Sequence, residues 1–470
     1  MAEMNTQSKK ARSAAPAPSG AQQGATAHQG DNPFKQTLTV FDMVVYGLIM
    51  MVPIAPMGIY GGVFQASGGA PALAYAIGFI AVLFSVLSFA IMIRIFPSSG
   101  SIYTYVTHIM GKGIGFIAGW LMLLQYLVSP TLMYIIAGTA LNGFIPQIPV
   151  WAWCLMFLAL VSVISLRGMQ TTMVVNRIAL VAELAILAAF VGIGMFYIVS
   201  HPASSSFSAT ALFNPQTFDF SNMMSAVSLS VLSYVGFGVI ATLTQQAKDE
   251  REGPPRAMMI MALILVVLFA GQCFMATCID PTGASFAHDP DNAFYIVAQM
   301  AGGPMLALVC AVAVALSQGI FTALVTQTSV SVILFTMARG GSLPKVMGKL
   351  DAKTNVATNA MIFVIALSAV LIFAMQPLGI DSVAKVANFG ALATYTLLNV
   401  CVIVFCWFQN KQRRQLFRHL LFPLAGALVC FAILISLDAV AHIVGIVWIV
   451  IGIIYYCVVK YALHRDIKLG

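Results

Sequence analysis

The sequence contains very little charge for its length. Of 470 residues, 23 are Lys or Arg and 15 are Asp or Glu, so charged side chains make up 8%. An ordinary soluble domain carries about 25%. Hydrophobic residues make up 60% of the chain, and the mean hydropathy is +0.93. This composition argues against a soluble enzyme, a nucleic-acid-binding protein and a secreted disulfide scaffold, and it indicates a membrane protein with many spans.

The sequence also lacks the motifs that mark metal sites and common enzymes. Its eight cysteines include no Cys-x-x-Cys pair and no cysteine has a histidine at ligand spacing, so neither a metal site nor a disulfide is predicted. A Walker loop, a His-Glu-x-x-His motif and a Gly-x-Ser-x-Gly motif are absent. We therefore expect a protein that is not an enzyme and that needs neither a cofactor nor a metal.

What the sequence has in abundance is long apolar segments. Residues 1–34 are rich in Ala, Gln, Ser, Gly and Pro, and we expect them to form a disordered cytoplasmic tail. Because lipid offers no partner for backbone polar groups, each apolar segment is expected to be a helix, giving an all-α polytopic membrane protein. Twelve segments are predicted, at about 38–66, 71–93, 113–143, 149–166, 171–199, 222–246, 257–279, 303–338, 358–376, 383–408, 419–437 and 440–462.

The positions of basic residues support this count. With twelve spans and a cytoplasmic N-terminus, every Lys and Arg except Lys385 falls on the inner side. A miscounted span would exchange the sides of all later loops and destroy this asymmetry. Both termini are therefore predicted to lie in the cytoplasm, and the protein is predicted to reside in the cytoplasmic (inner) membrane.

Two of the predicted helices contain helix-breaking residues near their middle. The first contains Pro53-Ile-Ala-Pro56-Met-Gly58, and the sixth contains Ser233-Tyr-Val-Gly236-Phe-Gly238. Such residues remove helix hydrogen bonds and free backbone groups inside the membrane. The breaks occupy the first position of two successive sets of five helices, a pattern typical of inverted repeats with a substrate site between them.

Several motifs accompany these breaks. They are Pro97-Ser-Ser-Gly100-Ser-Ile-Tyr103-Thr-Tyr105, Gly115-Phe-Ile-Ala-Gly119-Trp120, Tyr234-Val-Gly236-Phe237 and Met337-Ala-Arg339-Gly-Gly-Ser-Leu-Pro344. Together they resemble the signatures of the amino acid-polyamine-organocation (APC) permeases, over about residues 36–462. Asn388-Phe-Gly-Ala-Leu and Phe422-Pro-Leu-Ala-Gly-Ala-Leu are most similar to the putrescine-importer branch of that superfamily.

The resemblance implies a fold and a function. The implied fold is a LeuT-like 5+5 inverted repeat with helices 1 and 6 broken, plus two extra C-terminal helices. Residues 35–410 would form a transport core of ten helices, 411–462 would form helices eleven and twelve, and 463–470 would form a cytoplasmic tail. The implied function is secondary active import of an amino acid or amine by alternating access, with membrane lipid and a coupling ion as further partners and no nucleic acid.

The departures from the putrescine-importer pattern bear on the substrate. Relatives in that branch carry acids where this sequence has Gly238, Gln245, Gln246 and Gln125. A cationic diamine in a medium of low dielectric constant needs a carboxylate partner, since an unpaired buried charge is costly. A zwitterionic amino acid or a less charged amine is therefore favoured. Putrescine import, substrate exchange and a non-transporting sensor with the permease fold remain alternatives.

The candidate substrate-binding residues come from the two breaks and from helices three and eight. The first break can offer N–H groups to a carboxylate, and freed carbonyls of the sixth helix can receive an ammonium group. Aromatic rings could close over the substrate. The candidates are Ala55, Pro56, Met57, Gly58, Gln125, Tyr126, Tyr234, Gly236, Phe237, Gly238, Thr326 and Gln327.

One acid, Glu183, lies well inside a predicted span. A charged side chain at that depth costs roughly 2.5 to 3.5 kcal/mol on insertion scales, and burial favours the neutral form, so Glu183 is a candidate proton carrier. Proton-coupled members of the superfamily often hold a lysine at the matching position. The alternatives are a sodium site completed by hydroxyls of Ser329 or Ser331, and a neutral acid that merely hydrogen-bonds between helices.

Overall fold

The structure is a computed structural model that describes residues 37–97, 101–168, 173–202, 205–339, 343–351, 356–410 and 414–462. The predicted tails at 1–34 and 463–470 lie outside these residues, as do residues 98–100 and 340–342 of the two motifs that contain them. The described chain is helical. It contains no strand, and its one isolated bridge joins Leu38 to Ala247.

The helices of the first half include two that are interrupted. In chain order they are α1 (Val40–Met51), α2 (Tyr60–Ala66), α3 (Pro71–Ile95), α4 (Ile102–Met110), α5 (Lys112–Asn142), α6 (Val150–Leu166), α7 (Met173–Ser200), α8 (Phe220–Tyr234) and α9 (Val239–Thr242). A single 3₁₀ turn, Ala55–Gly58, lies between α1 and α2.

The second half consists of longer helices with short π-helical segments. The helices are α10 (Gly253–Ile279), α11 (Ala293–Leu316), α12 (Ala323–Arg339), α13 (Thr358–Met375), α14 (Gly379–Ile403), α15 (Phe422–Ile435) and α16 (Ala439–Cys457). The π-helical segment Ser317–Thr322 joins α11 directly to α12.

Ten helical stretches of the described chain are long and apolar enough to cross a membrane. Two of them, Pro290–Arg339 with 50 residues and Thr358–Gln409 with 52, exceed the roughly 20 residues that one crossing needs. The first has non-helical backbone at Gly302 and Gly303, and the second consists of α13 and α14 with a turn between them. A shorter apolar helix of 17 residues is α6. The protein is therefore an all-helical, multi-span membrane protein, as the apolar segments predict.

The central helix of the bundle is α5, which packs against α4, α6, α11, α12 and α14. Its closest neighbour is α14, where a methyl group added to Gly390 would lie 2.6 Å from the backbone oxygen of Leu121. Small residues allow two helix backbones to approach this closely, which is a common basis of helix packing in membranes. The contact fixes α14 against the turn of α5 that carries Gln125.

Large apolar side chains cover the outside of the bundle. Phe196 on α7 is 75% exposed, Val267 on α10 is 70% exposed and Val370 on α13 is 64% exposed. Exposed apolar side chains of this size are expected where lipid rather than water is the solvent.

At the end of the bundle where α1 begins, backbone hydrogen bonds join the segment before α1 to the segment after α9, and an ion pair lies nearby. The N–H groups of Thr37 and Leu38 donate to the Gln246 carbonyl, and the Lys248 N–H donates to the Leu38 carbonyl. Nearby, the Arg94 guanidinium donates to both carboxylate oxygens of Glu252, at 2.6 and 2.8 Å. These hydrogen bonds lower the pKa of Glu252. In this conformation, the segment before α1 is thus tied to the segment after α9.

Candidate functional site

The first interruption runs from Val52 to Ile59. Helix α1 ends at Met51, and Val52 adopts φ +51°, which is unusual for a β-branched residue. Pro53 and Pro56 have no N–H groups to continue the helix, and the chain makes one 3₁₀ turn before α2 begins at Tyr60. Backbone groups that a continuous helix would pair are therefore freed in the interior of the protein.

A glutamine on α10 satisfies one of these freed groups. The Gln272 Nε2 atom donates to the Pro53 carbonyl and to the Leu268 carbonyl, each at 2.9 Å, and the side chain is 1% exposed. The Oε1 atom of Gln272 has no hydrogen-bond partner among the described residues. Gln272 was not among the sequence-predicted site residues. The sequence signal that could have identified it is an amide two turns before the C-terminal end of a 27-residue apolar helix.

The second interruption lies between α8 and α9. Val235 is extended, and Gly236 has φ +132°, a backbone conformation that glycine adopts at little cost. A methyl group added to Gly236 would lie 3.5 Å from Cγ of Met51, the last residue of α1. The two interruptions therefore adjoin each other, although about 180 residues separate them in the sequence.

The aromatic residues of the second break are buried against other rings. The Tyr234 hydroxyl donates to the Tyr75 carbonyl at 3.0 Å, and its ring centroid lies 5.1 Å from that of Phe269. The Phe237 ring lies 5.1 Å from Tyr395 and 5.5 Å from Phe89. In this conformation both predicted residues support the break through packing.

The first break packs on α5, the helix that also carries the candidates Gln125 and Tyr126, but on a different part of it. A methyl group added to Gly58 would lie 2.6 Å from Cγ2 of Ile136, so the first break packs directly on α5. About three turns earlier on that helix, Gln125 is buried against α14, whereas Tyr126 is half-buried and packs against a separate apolar cluster that contains Phe116. Gln125 and Tyr126 thus face different neighbours.

Gln327 acts as a brace between three helices. Its side chain is fully buried, its Oε1 atom accepts a hydrogen bond of 2.6 Å from the Tyr134 hydroxyl, and its Nε2 atom donates to Ser165 Oγ at 3.2 Å. The neighbouring Thr326 hydroxyl donates to the Thr322 carbonyl. Both groups of the Gln327 amide are therefore occupied by protein, on α5 and α6.

Glu183 lies on α7 and pairs with the π-helical segment. Its side chain is 6% exposed, and its Oε1 atom accepts a hydrogen bond of 2.5 Å from the Ser317 hydroxyl. Its Oε2 atom has no partner among the described residues. Segments of π-helix inside α-helices are frequent at functional sites.

The structure does not bring the two predicted serine partners to this carboxyl group. Ser329 and Ser331 lie 12 and 14 residues beyond Ser317, about 18 Å or more along the helix axis. The Ser331 hydroxyl donates instead to the Thr328 carbonyl on its own helix. The sodium site predicted from Glu183 with Ser329 or Ser331 is therefore not assembled in this conformation.

The sequence is similar to known permeases over nearly its whole length. The family model described as "Amino acid permease" matches residues 36–462. The low-affinity putrescine importer PlaP of Escherichia coli (strain K12) is 28% identical over 436 residues, covering 91% of this chain and 94% of the relative. The branched-chain amino acid permease BcaP of Lactococcus lactis is 26% identical over 458 residues, covering 91% and 95%. The L-asparagine permease of Streptomyces coelicolor is 22% identical over 406 residues, covering 83% and 80%.

The hydrogen bond from Gln272 to Pro53 can be tested by substitution. We expect Gln272→Met to lower the free energy of unfolding by about 1 to 3 kcal/mol, because the buried Pro53 carbonyl loses its donor. Gln409→Met is the matched control: it removes a similar bond, from Gln409 Nε2 to the Ile109 carbonyl, where the residues are only partly buried. Melting temperatures of the purified variants in detergent check this. Equal melting temperatures for wild type and Gln272→Met would contradict the role given to Gln272.

Proposed function

Because this chain belongs to the amino acid permease family, we propose that it is a secondary active transporter that imports a neutral amino acid through the cytoplasmic membrane. The proposed mechanism is alternating access coupled to protons. The observation that carries the proposal is the contact between the two interrupted helices, which brings freed backbone groups together in the interior of the bundle.

The proposal includes twelve membrane spans. The ten apolar stretches become eleven when α13 and α14 are counted separately, and α6 is the twelfth. The interruptions then fall in spans one and six, which supports two inverted five-helix repeats over 35–410 followed by two further spans over 411–462. The distribution of Lys and Arg supports placing the 1–34 and 463–470 tails in the cytoplasm.

The polar groups available at the site favour a zwitterionic substrate. We assign the substrate carboxylate to N–H groups around Ala55, Met57 and Gly58, and the ammonium group to carbonyls between Val235 and Gly238. In this conformation the Ala55 and Met57 N–H groups donate to carbonyls three residues earlier, and the carbonyls of Gly236 to Gly238 accept from N–H groups three residues later, so substrate binding has to replace these turn hydrogen bonds. Such backbone dipoles match one charge of each sign without adding a net charge to the membrane interior. Tyr234, Phe237 and Met51 surround the second break with apolar surface, which suits an apolar side chain.

The distribution of acids supports the same choice. Among the described residues, Glu183 is the only acid more than one turn inside a helix, and it pairs with Ser317. At four positions where the putrescine-importer pattern has an acid, this chain has an uncharged residue instead: Gly238, Gln245, Gln246 and Gln125. A diamine carries two positive charges and would lack a carboxylate partner at the breaks.

Putrescine import is the second candidate, because a relative named as a putrescine importer is 28% identical over 436 residues. In that case the two ammonium groups would have to donate to backbone carbonyls and to the Gln272 Oε1 atom. This atom is buried and has no partner among the described residues.

The coupling role assigned to Glu183 rests on its connection to the first break. Its partner Ser317 lies one turn beyond Val314, and a methyl group added to Gly58 would lie 3.6 Å from Cγ1 of Val314. A change of charge on Glu183 alters its hydrogen bond to Ser317, and this part of the helix packs directly on the broken segment. Each proton that crosses a potential of 100 mV supplies about 2.3 kcal/mol for accumulation.

The substrate assignment is tested by ligand-induced stabilisation followed by uptake. A specific ligand raises the melting temperature by mass action, so we expect leucine, isoleucine or valine to stabilise the purified protein and to be taken up by proteoliposomes. Putrescine and asparagine are the comparison ligands. Stabilisation by putrescine alone would overturn the neutral amino acid assignment, and saturable binding without any flux would favour a sensor.

The coupling assignment is tested with Glu183→Gln, which keeps the side-chain shape but cannot change charge. We expect this variant to lose accumulation driven by an imposed pH gradient while still exchanging labelled for unlabelled substrate. Asp219→Asn, at an exposed helix cap, is the control and should accumulate substrate like the wild type. Wild-type accumulation that follows a sodium gradient and ignores the pH gradient would contradict proton coupling, and uptake only against internal substrate would indicate an exchanger.

A further inference from the structure

A crevice with a volume of about 350 Å³ opens beside Glu183, between α7 and the α11–α12 helix. Its walls are small and aliphatic side chains, among them Ala182, Val312 and Ala313, with Phe321 at one end. Leu308, Val312 and Leu316 on its rim are 39%, 36% and 44% exposed. Because large exposed apolar residues in the middle of membrane-spanning helices face lipid, the crevice opens toward the bilayer.

The polar atoms in this crevice belong mainly to one carboxyl group and one hydroxyl group. Glu183 and Ser317 both line it, and their mutual hydrogen bond occupies Glu183 Oε1. Glu183 Oε2 is buried and has no partner among the described residues. A buried carboxyl oxygen without a partner is costly, and the hydrocarbon region of a bilayer provides no water to replace one.

The combination of an apolar crevice and one unsatisfied carboxyl oxygen defines the chemistry of a ligand. We propose that the crevice binds a lipophilic amine from the bilayer, with its ammonium group donating to Glu183 Oε2 and its hydrocarbon chain lying between α7 and α11. The volume is within the range of small-molecule sites, and the charge of the ammonium group complements that of the carboxylate.

The binding does not depend on the proposed transport function, but one consequence does. If Glu183 carries the coupling proton, an amine bound to its carboxylate prevents the exchange of that proton and inhibits accumulation. The site differs from the substrate site at the two helix breaks, because it is reached from the lipid and not along a path through the bundle.

Chemical labelling of the carboxyl group tests the site without measuring transport. Dicyclohexylcarbodiimide partitions into bilayers and adds to carboxyl groups that it can reach there, so wild-type protein in proteoliposomes should acquire its adduct on the Glu183 peptide, detected by mass spectrometry. Dodecylamine should lower this labelling roughly tenfold, the lower end of what a hydrogen bond to a charged group contributes. Dodecanol, which has the same chain but no charge, should not protect. A water-soluble carbodiimide should label Glu183 less than dicyclohexylcarbodiimide does, because the crevice opens toward lipid.

Two alanine substitutions supply the matched variants. Ala313→Leu fills the crevice and should abolish labelling of Glu183, whereas Ala185→Leu, on the exposed face of α7 outside the crevice, should leave labelling and protection unchanged. Equal protection by dodecanol and dodecylamine would show that only a hydrocarbon chain occupies the crevice and would overturn the proposal. Labelling by the water-soluble reagent that equals labelling by dicyclohexylcarbodiimide, or unchanged labelling in Ala313→Leu, would also overturn it.

Discussion

Backbone polar groups inside a bilayer need partners within the protein, and the structure depends on how this requirement is met at two places. Over most of the described helices, backbone groups pair within the helix. The interruptions at Val52 to Ile59 and at Val235 to Gly238 break this pairing. There the two interruptions pack against each other, and Gln272 donates a hydrogen bond to the Pro53 carbonyl. We propose that the backbone groups of this region receive the solute.

One helix connects the first break, where we propose that substrate binds, with Glu183. The long helix that contains α11, the π-helical segment and α12 touches the first break through Val314 and holds Glu183 through Ser317, which is one turn further on. Single π-helical turns inside α-helices are frequent at functional sites. We therefore propose Ser317–Thr322 as the element through which the protonation of Glu183 and the arrangement of the first break would influence each other.

The sequence predicted those features that depend on local backbone chemistry. Proline lacks an N–H group and glycine tolerates positive φ, so the interruptions at Pro53–Gly58 and Ser233–Gly238 could be placed within a few residues. Long apolar runs likewise predicted an all-helical membrane protein. The depth of Glu183 followed from its distance to the helix ends.

The features that depend on helix rotation and on distant contacts could not be predicted. Gln327 looked like a substrate ligand, but its partners Tyr134 and Ser165 lie 193 and 162 residues away in the sequence. Hydroxyl groups on the eighth helix predict Ser329 or Ser331 as partners of Glu183. The position and rotation of that helix instead bring Ser317 into hydrogen-bonding contact with Glu183. The role of Gln272 could not be predicted either, because it depends on the Pro53 carbonyl, which lies in the first break and far away in the sequence.

The central claim is that unwound backbone at both interruptions holds the solute, and the most direct measurement is a cryo-electron microscopy structure of the protein with a transported amino acid bound. The account predicts ligand density between Val52–Ile59 and Val235–Gly238, with the carboxylate within hydrogen-bonding distance of N–H groups of the first interruption. Continuous helices through both regions in the bound state, or a ligand bound away from them, would contradict it.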